Sequence, residues 1–231
     1  MNLFFDPNLN LDSNEVFIDK SEIKHIEKVL RKKKGDFLNF TNGKGLEAVV
    51  EICGTNKNDI CFKVKDLIHH TIKDQKYHIA LSPLKKPNFF EMVVSKATEL
   101  GIKEITPIIC KNSLKKSVNY NRCNKIIISS LKQSLQYHLP KINKVTSFKD
   151  FVLIYKNSMI AHCNEGEKTT IPKALKKVKN KAIIIGPEGD FSLDEINFAR
   201  ENNYNEVTLG SNRLRSETAA IVACSLLVAC E

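Results

Sequence analysis

The spacing of apolar and polar positions divides the chain into two stretches with different periods. Over residues 1–72 the pattern is short and strand-like. The runs "LFF" at 3–5, "EVFID" at 15–19, "DFLNF" at 36–40, "LEAVVEIC" at 46–53 and "DICFKVKDLI" at 59–68 are rich in β-branched and aromatic residues. Several alternate with period two, as half-buried strands do. The turn signal "TNGKG" at 41–45 separates two of them. One helix interrupts, from Ser21 as N-cap to about Leu30, with Ile23, Ile26, Val29 and Leu30 in helical period. So many short strands predict a small closed barrel.

From Tyr77 the period changes. The strands "YHIALSP", "EITPIIC", "SMIAHC", "KAIIIG" and "EVTLG" alternate with helical stretches. These are "PNFFEMVVSKATELG", started by Pro87 and stopped by Gly101; "RCNKIIISSLKQSLQYHL", ending before Pro140; "FKDFVLIYK"; "SLDEINFAREN"; and "SETAAIVACSLLVAC". Ser192 and Glu195 form a capping box at the start of the fourth. Apolar strands alternating with helices predict an α/β domain with a parallel sheet covered on both faces. The polar stretch "HHTIKDQK" at 69–76 is the expected linker, giving domains at 1–72 and 73–231.

Composition narrows the class. The chain has 231 residues, enough to bury a core without staples. No run approaches the ~18 apolar residues of a membrane span, and "MNLFFDPNLN" lacks the basic and apolar regions of a signal peptide. Seven cysteines without a CxxC pair predict reduced thiols in a cytoplasmic protein and no metal; Cys53, Cys61 and Cys224 read as small core residues. The net charge of +10 favours a polyanionic partner. The excess is mostly lysine, with Asn and Ile also frequent, which an AT-rich genome explains as well. Clusters are more telling: "RKKKGD" at 31–36, "LKKPN" at 84–88, "SLKKS" at 113–117 and "KKVKNK" at 176–181.

Candidate chemistry lies where strands end, since ligands of α/β sheets sit beyond the C-terminal strand ends. Three such loops stand out: "AHCNEGE", "IGPEGDF" and "LGSNRLRSE". None holds the GK[ST] of a phosphate loop or the GxGxxG of a dinucleotide site. Glu188 in the second turn would repel a phosphate. The turn therefore suits an unphosphorylated ligand that tolerates a nearby acid, such as a nucleoside with a cationic centre; the alternative is an ordinary strand-to-helix turn. The third loop places Arg213 and Arg215 before a very apolar helix, a position that suggests an anionic partner.

Together "IIIGPEGDFSLDEI" and "VTLGSNRLRSETAAIVACSLL" resemble the C-terminal signature of the SPOUT-class 16S rRNA uridine-N3 methyltransferases. The resemblance extends to "KATELGIKEITPIIC" at 96–110, "LKQSLQYHLPKI" at 131–142 and "HIEKVLRKKKGDFLNFTNGKG" at 25–45, nearly the whole chain. It implies a PUA-like barrel followed by an α/β domain with a trefoil knot. It also implies S-adenosylmethionine held among three loops: near His162, at Gly186, Pro187, Glu188 and Gly189, and along Leu209, Gly210, Asn212 and Leu214, with Thr218 beside them.

The implied reaction transfers a methyl group to N3 of a uracil. Negative charge then spreads over N3 and the flanking carbonyls, and a fixed guanidinium stabilises it. Arg215 is the first candidate, and Glu217 and Thr218 stand either to orient it or to cap the last helix. No general base is evident; His25, His78 and His138 read as structural or surface residues. The expected RNA contacts are Arg31, Lys32, Lys33, Lys34, Lys86 and Arg213. The resemblance further implies 16S rRNA in the small ribosomal subunit as substrate and a homodimer, whose two-fold the last helix, apolar nearly all round, would occupy. Two positions depart from the family pattern: Asp190 replaces the second glycine of the GPEGG turn, and Gln136 stands where arginine is common. Two other readings fit the same residues: another SPOUT-class RNA methyltransferase, or a non-catalytic RNA-binding assembly protein, which Asp190 keeps open.

Overall fold

The computed structural model describes residues 2–13, 15–18, 20–56, 59–71 and 77–230. Most of the expected linker, 72–76, lies outside the described residues. The chain divides into two compact units: Met1–Lys73 with Ile128–Leu139, and Asp74–Ile127 with Pro140–Glu231.

In the first unit β1 (Leu3–Phe5), β2 (Phe37–Thr41), β3 (Leu46–Asn56) and β4 (Asp59–His69) form one sheet in the order β1-β2-β3-β4. The first pair is parallel and the others antiparallel. Among the described residues the ladder is an open path, not a closed ring. Residues 15–18 form no strand. Their hydrogen bonding goes to a side chain instead: the Phe17 amide donates to Asp6 Oδ2 at 2.8 Å, while Asp6 Oδ1 accepts from the Asn8 amide. Phe40, Leu38, Val50, Ile52 and Phe62 fill the core, joined by Ile23 and Ile26. Cys61, expected inside, is exposed, because Ile60 and Phe62 on either side of it point inward.

The helix α1 (Lys20–Lys24) starts two residues earlier than an N-cap at Ser21 allows, so Ser21 lies within it, and it widens into a π-helical turn, His25–Val29. Arg31, at φ 52°, ends that turn in the left-handed region, and the Lys32 amide donates back to Ile26 O.

The second segment of this unit explains a helix that ends early. The α3 helix (Tyr120–Gln133) stops short of Pro140, with Leu135 at φ 55°. The chain then pairs with the "NGKG" turn. Gly45 donates its amide to Tyr137 O at 2.9 Å, and the Leu139 amide donates to Gly43 O at 2.8 Å. The approach is so close that a Cβ at Gly45 would lie 2.4 Å from the His138 ring. Beside it Glu47, 3% exposed, accepts from Asn39 Nδ2 and meets His70 Nε2 at 2.7 Å. The His70 ring stacks on Tyr137 at 3.6 Å, and burial together with Glu47 pushes the Tyr137 phenol up to about 12.

In the second unit β5 (His78–Leu81), β6 (Glu104–Ile109), β7 (Lys141–Ile142), β8 (Thr146–Ser147), β9 (Met159–Ala161), β10 (Thr169–Thr170), β11 (Ala182–Ile185) and β12 (Asn205–Thr208) form a sheet. Its order is β10-β12-β9-β11-β5-β6-β7, with β8 on the far end of β6. Every pairing is parallel, as the near-continuous apolar strands predict. One face carries α4 (Phe148–Ile154) and α6 (Leu193–Glu201), against which Ala80, Ile108, Ile160 and Ile184 pack. By the pleat, their strand neighbours Ile79 and Ile183 face the other side. There α7 (Ser216–Ala229) packs on α2 (Pro87–Glu99), α5 (Ile171–Leu175), β5 and β11. Both bonds of the Ser192–Glu195 capping box are present at the start of α6. His78 is structural: burial pushes its imidazole down to about 4, and Nε2 meets Thr106 Oγ1 at 2.7 Å. Among the described residues no helix is long and apolar enough to cross a membrane.

Candidate active site

Parallel pairing brings the C-terminal ends of β9, β11 and β12 to one edge of the sheet, where all three glycine-bearing loops emerge. They enclose a cavity of about 900 Å³, which the first residues of α2 and α7 complete. Such a volume is ordinary for a small-molecule site, commonly ~300–1,000 Å³. Ile185, Val207, Leu209 and Leu214 give it apolar walls.

The turn after β11, Gly186–Asp190, is held from several sides. Glu188 Oε1 accepts from the Lys85 amide at 2.8 Å. Asn112 Nδ2 donates to Gly189 O and Asp190 O, both at 3.0 Å. Glu195 Oε1 accepts from the Lys111 amide, tying the start of α6 to the same neighbouring loop. Asp190 stands at φ 59°, in the left-handed region that favours glycine. Aspartate tolerates that region better than most residues. Its carboxylate accepts from the Phe191 amide at 2.8 Å and, across the cavity wall, from the Cys163 amide at 2.9 Å.

The loop after β12, Leu209–Arg215, is built differently. Gly210, at φ 141°, adopts a backbone that other residues rarely take, and an added Cβ would meet only open space there. Backbone can therefore approach a ligand closely at this point. Ser211, Asn212, Arg213 and Arg215 are exposed. Arg215 is the N-cap of α7, with Glu217 buried in the first turn behind it. Among the described residues no carboxylate pairs with either arginine.

Below the loops His162, with its side chain 1% exposed, meets Glu206 Oε2 at 2.9 Å, and Glu206 Oε1 accepts from Arg200 Nε at 2.8 Å. Burial lowers the imidazole pKa despite Glu206. Burial alone would raise Glu206, but the bonds from Arg200 and His162 outweigh it and leave the carboxyl below its usual range. The pair is thus neutral imidazole and carboxylate, with the Nε2 proton pointed at Glu206. Lys168 Nζ donates to the carbonyls of His162 and Asn164 and holds the loop after β9.

The structure therefore brings His162, Gly186, Pro187, Glu188, Leu209, Gly210, Asn212, Leu214, Lys86, Arg213, Arg215 and Glu217 to one cavity. Gly189 packs beside Asn112, and Thr218 lies exposed on α7; neither is a lining residue. Arg31, Lys33 and Lys34 are exposed and Lys32 half-buried on the first unit. Sequence reasoning did not find Cys163, Lys168 and Phe89 as lining residues, nor Glu206 beneath His162. They carry no local motif; only the strand order assembles them. Among the described residues no group of three or more His, Cys, Asp or Glu is placed to hold a metal ion.

Residues 72–228 match the family model of the RNA methyltransferase domain, and residues 18–65 that of the RNA methyltransferase PUA domain. The ribosomal RNA small subunit methyltransferase E of Rickettsia conorii is 32% identical over 206 residues, 87% of this chain and 84% of that one. Among solved structures, a probable rRNA-methyltransferase from Porphyromonas gingivalis superposes with a TM-score of 0.84 at 29% identity, covering 97% of this chain and 95% of that one. A Legionella pneumophila protein solved with the bound cofactor SAM superposes with a TM-score of 0.79 at 25% identity, covering 98% and 96%. The PUA domain, the parallel sheet and the loops at its edge have one explanation: the chain belongs to the RNA methyltransferase family that includes the ribosomal RNA small subunit methyltransferases E.

Proposed function

We propose that the protein transfers a methyl group from S-adenosylmethionine to N3 of a uridine of 16S rRNA in the small ribosomal subunit, and that it works in the cytoplasm as a homodimer. The observation that carries this reading is the cavity at the ends of β9, β11 and β12. It has apolar walls, close backbone and no phosphate-loop lysine, and the unpaired Arg215 stands in its lining. The cofactor bound to the Legionella relative supports the same ligand here. Bound in this cavity, it supplies an electrophilic methyl group.

The chain's own residues do the rest. Leu209, Leu214 and Val207 give the adenine an apolar wall, and Gly210 lets backbone reach the ligand. Arg215 meets the negative charge that develops on the uracil as N3 loses its proton, and a guanidinium held against that charge once RNA is seated lowers the barrier. Glu217 lies buried in the first turn of α7, directly behind that arginine. Arg213, Lys86 and the exposed strip Arg31–Lys34 contact RNA phosphates. The trefoil knot belongs to the same reading, supported by β12 lying between the earlier strands β10 and β9. The dimer is supported by α7, on which Ile221, Val222, Leu226 and Val228 are only half-buried in the single chain.

The test is mass-spectrometric mapping of nucleosides in 16S rRNA from cells lacking the protein. One N3-methyluridine should disappear and return with the wild-type gene but not with Arg215→Ala. An unchanged nucleoside map would end the reading.

A further inference from the structure

Asp190 stands in the cavity wall in a left-handed backbone that favours glycine, and its side chain makes a bond there. At φ 59° the backbone is the one a glycine would take without cost. A side chain there is mildly strained, so aspartate brings something glycine cannot. Its Oδ2 accepts from the Cys163 amide at 2.9 Å, twenty-seven residues away in the chain, and Oδ1 from the Phe191 amide at 2.8 Å. Both ends of the Asp190–Cys163 tie line the cavity. The loop after β9 is held from its other end by Lys168, through the carbonyls of His162 and Asn164. The turn after β11 is held from its outer side by Asn112. The carboxylate thus joins two segments that are each anchored elsewhere, and so fixes the distance between them.

We infer that Asp190 is a positioning residue: its carboxylate clasps the loop after β9 to the turn after β11 and preforms the cofactor cavity. This rests on the cofactor assignment proposed above. A clasp of this kind lowers the ordering cost of binding and leaves the fold alone.

The experiment compares wild type with Asp190→Gly and Asp190→Asn, measuring melting temperature without ligand and the Kd for S-adenosylmethionine by calorimetry. Glycine keeps the left-handed backbone and removes both side-chain bonds. Asparagine keeps a single acceptor oxygen. Asp190→Gly should melt at or slightly above the wild-type temperature and bind the cofactor about fivefold more weakly, as the loss of one amide bond predicts. Asp190→Asn should fall between. In turnover, the KM for cofactor should rise more than kcat falls. A Kd for Asp190→Gly within a factor of about two of wild type overturns the inference, as does a variant that loses its fold, which would make the role structural. Wild-type protein that binds no S-adenosylmethionine would instead overturn the cofactor assignment itself.

Discussion

The turn Gly186–Asp190 and the loop Leu209–Arg215 border the same cavity, and side chains treat them in opposite ways. The turn is tied to residue 85 through Glu188, to Asn112 through two carbonyls, and to Cys163 through Asp190. The loop is tied within itself: Thr208 Oγ1 donates to Gly210 O and accepts from its amide, while Asn212, Arg213 and Arg215 are exposed. One side of the cavity is fixed before any ligand arrives, and the other presents free cations. Fixed backbone suits a small ligand bound in one pose; free guanidinium suits an anion that comes from outside. The charge excess of the chain thus matters where it is unpaired, not where it is most dense.

Removing the free cation nearest the chemistry should break this contrast most severely. Arg215→Ala should cost about 100- to 1,000-fold in single-turnover methylation of small subunits while leaving cofactor affinity nearly intact. Arg215→Lys should also be poor, since a point charge cannot reproduce the planar fork. Retention of more than about a tenth of the rate would remove Arg215 from the chemistry.

Acid should act on the closed parts of the domain and spare the open loop. Burial lowers His162, and pushes His78 down to about 4 among Thr106, Phe151, Tyr155, Glu104 and Lys141. The unfolded chain takes up these protons near pH 6.5, the folded chain only below it, for His78 near pH 4. Stability is therefore complete above about pH 6.5 and falls as pH drops toward 4, by on the order of 2 kcal/mol for His78 at pH 4.5. Urea unfolding at both pH values checks this, and His78→Gln should flatten the part due to that group.

Gly210→Ala sharpens the contrast from the backbone side. At φ 141° a side chain is strained although space is open, so the cost is about 1–2 kcal/mol of stability, together with weaker cofactor binding. A thermal melt with and without cofactor reads both. The smallest effect belongs to Arg213→Ala. Its phosphate contact should be worth a few-fold in RNA affinity, with the defect shrinking at low salt as the salt slope falls by about one. A filter-binding series in salt measures it.

Local signals carried much of this arrangement. The Ser192–Glu195 box, Pro87 at the start of α2 and the apolar strands are each fixed by neighbours a few residues away, and each stands where its pattern placed it. What the pattern missed depends on contacts distant in sequence. The amide of Phe17 leaves its expected strand for Asp6. The helix α3 stops at Gln133 because the following residues pair with Gly43 and Gly45. In the site, the three loops were legible from their glycines and arginines. The Glu206 beneath His162 and the clasp at Asp190 were not, because a carboxylate shows its partner only once the strand order is known.

The pairing of Tyr137 and Leu139 with Gly45 and Gly43 also sets a schedule for synthesis. The first unit takes its last strip from residues 128–139, made only after residues 74–127 of the next unit. At roughly 5–20 residues per second, its turn at Gly43–Gly45 and the buried Glu47 wait several seconds for Tyr137. A fragment ending near residue 73 would keep that gap permanently. The unit that comes first in the chain is therefore not complete when its own leading segment ends, and truncating the gene at the apparent domain boundary would produce an N-terminal unit lacking one of its sides.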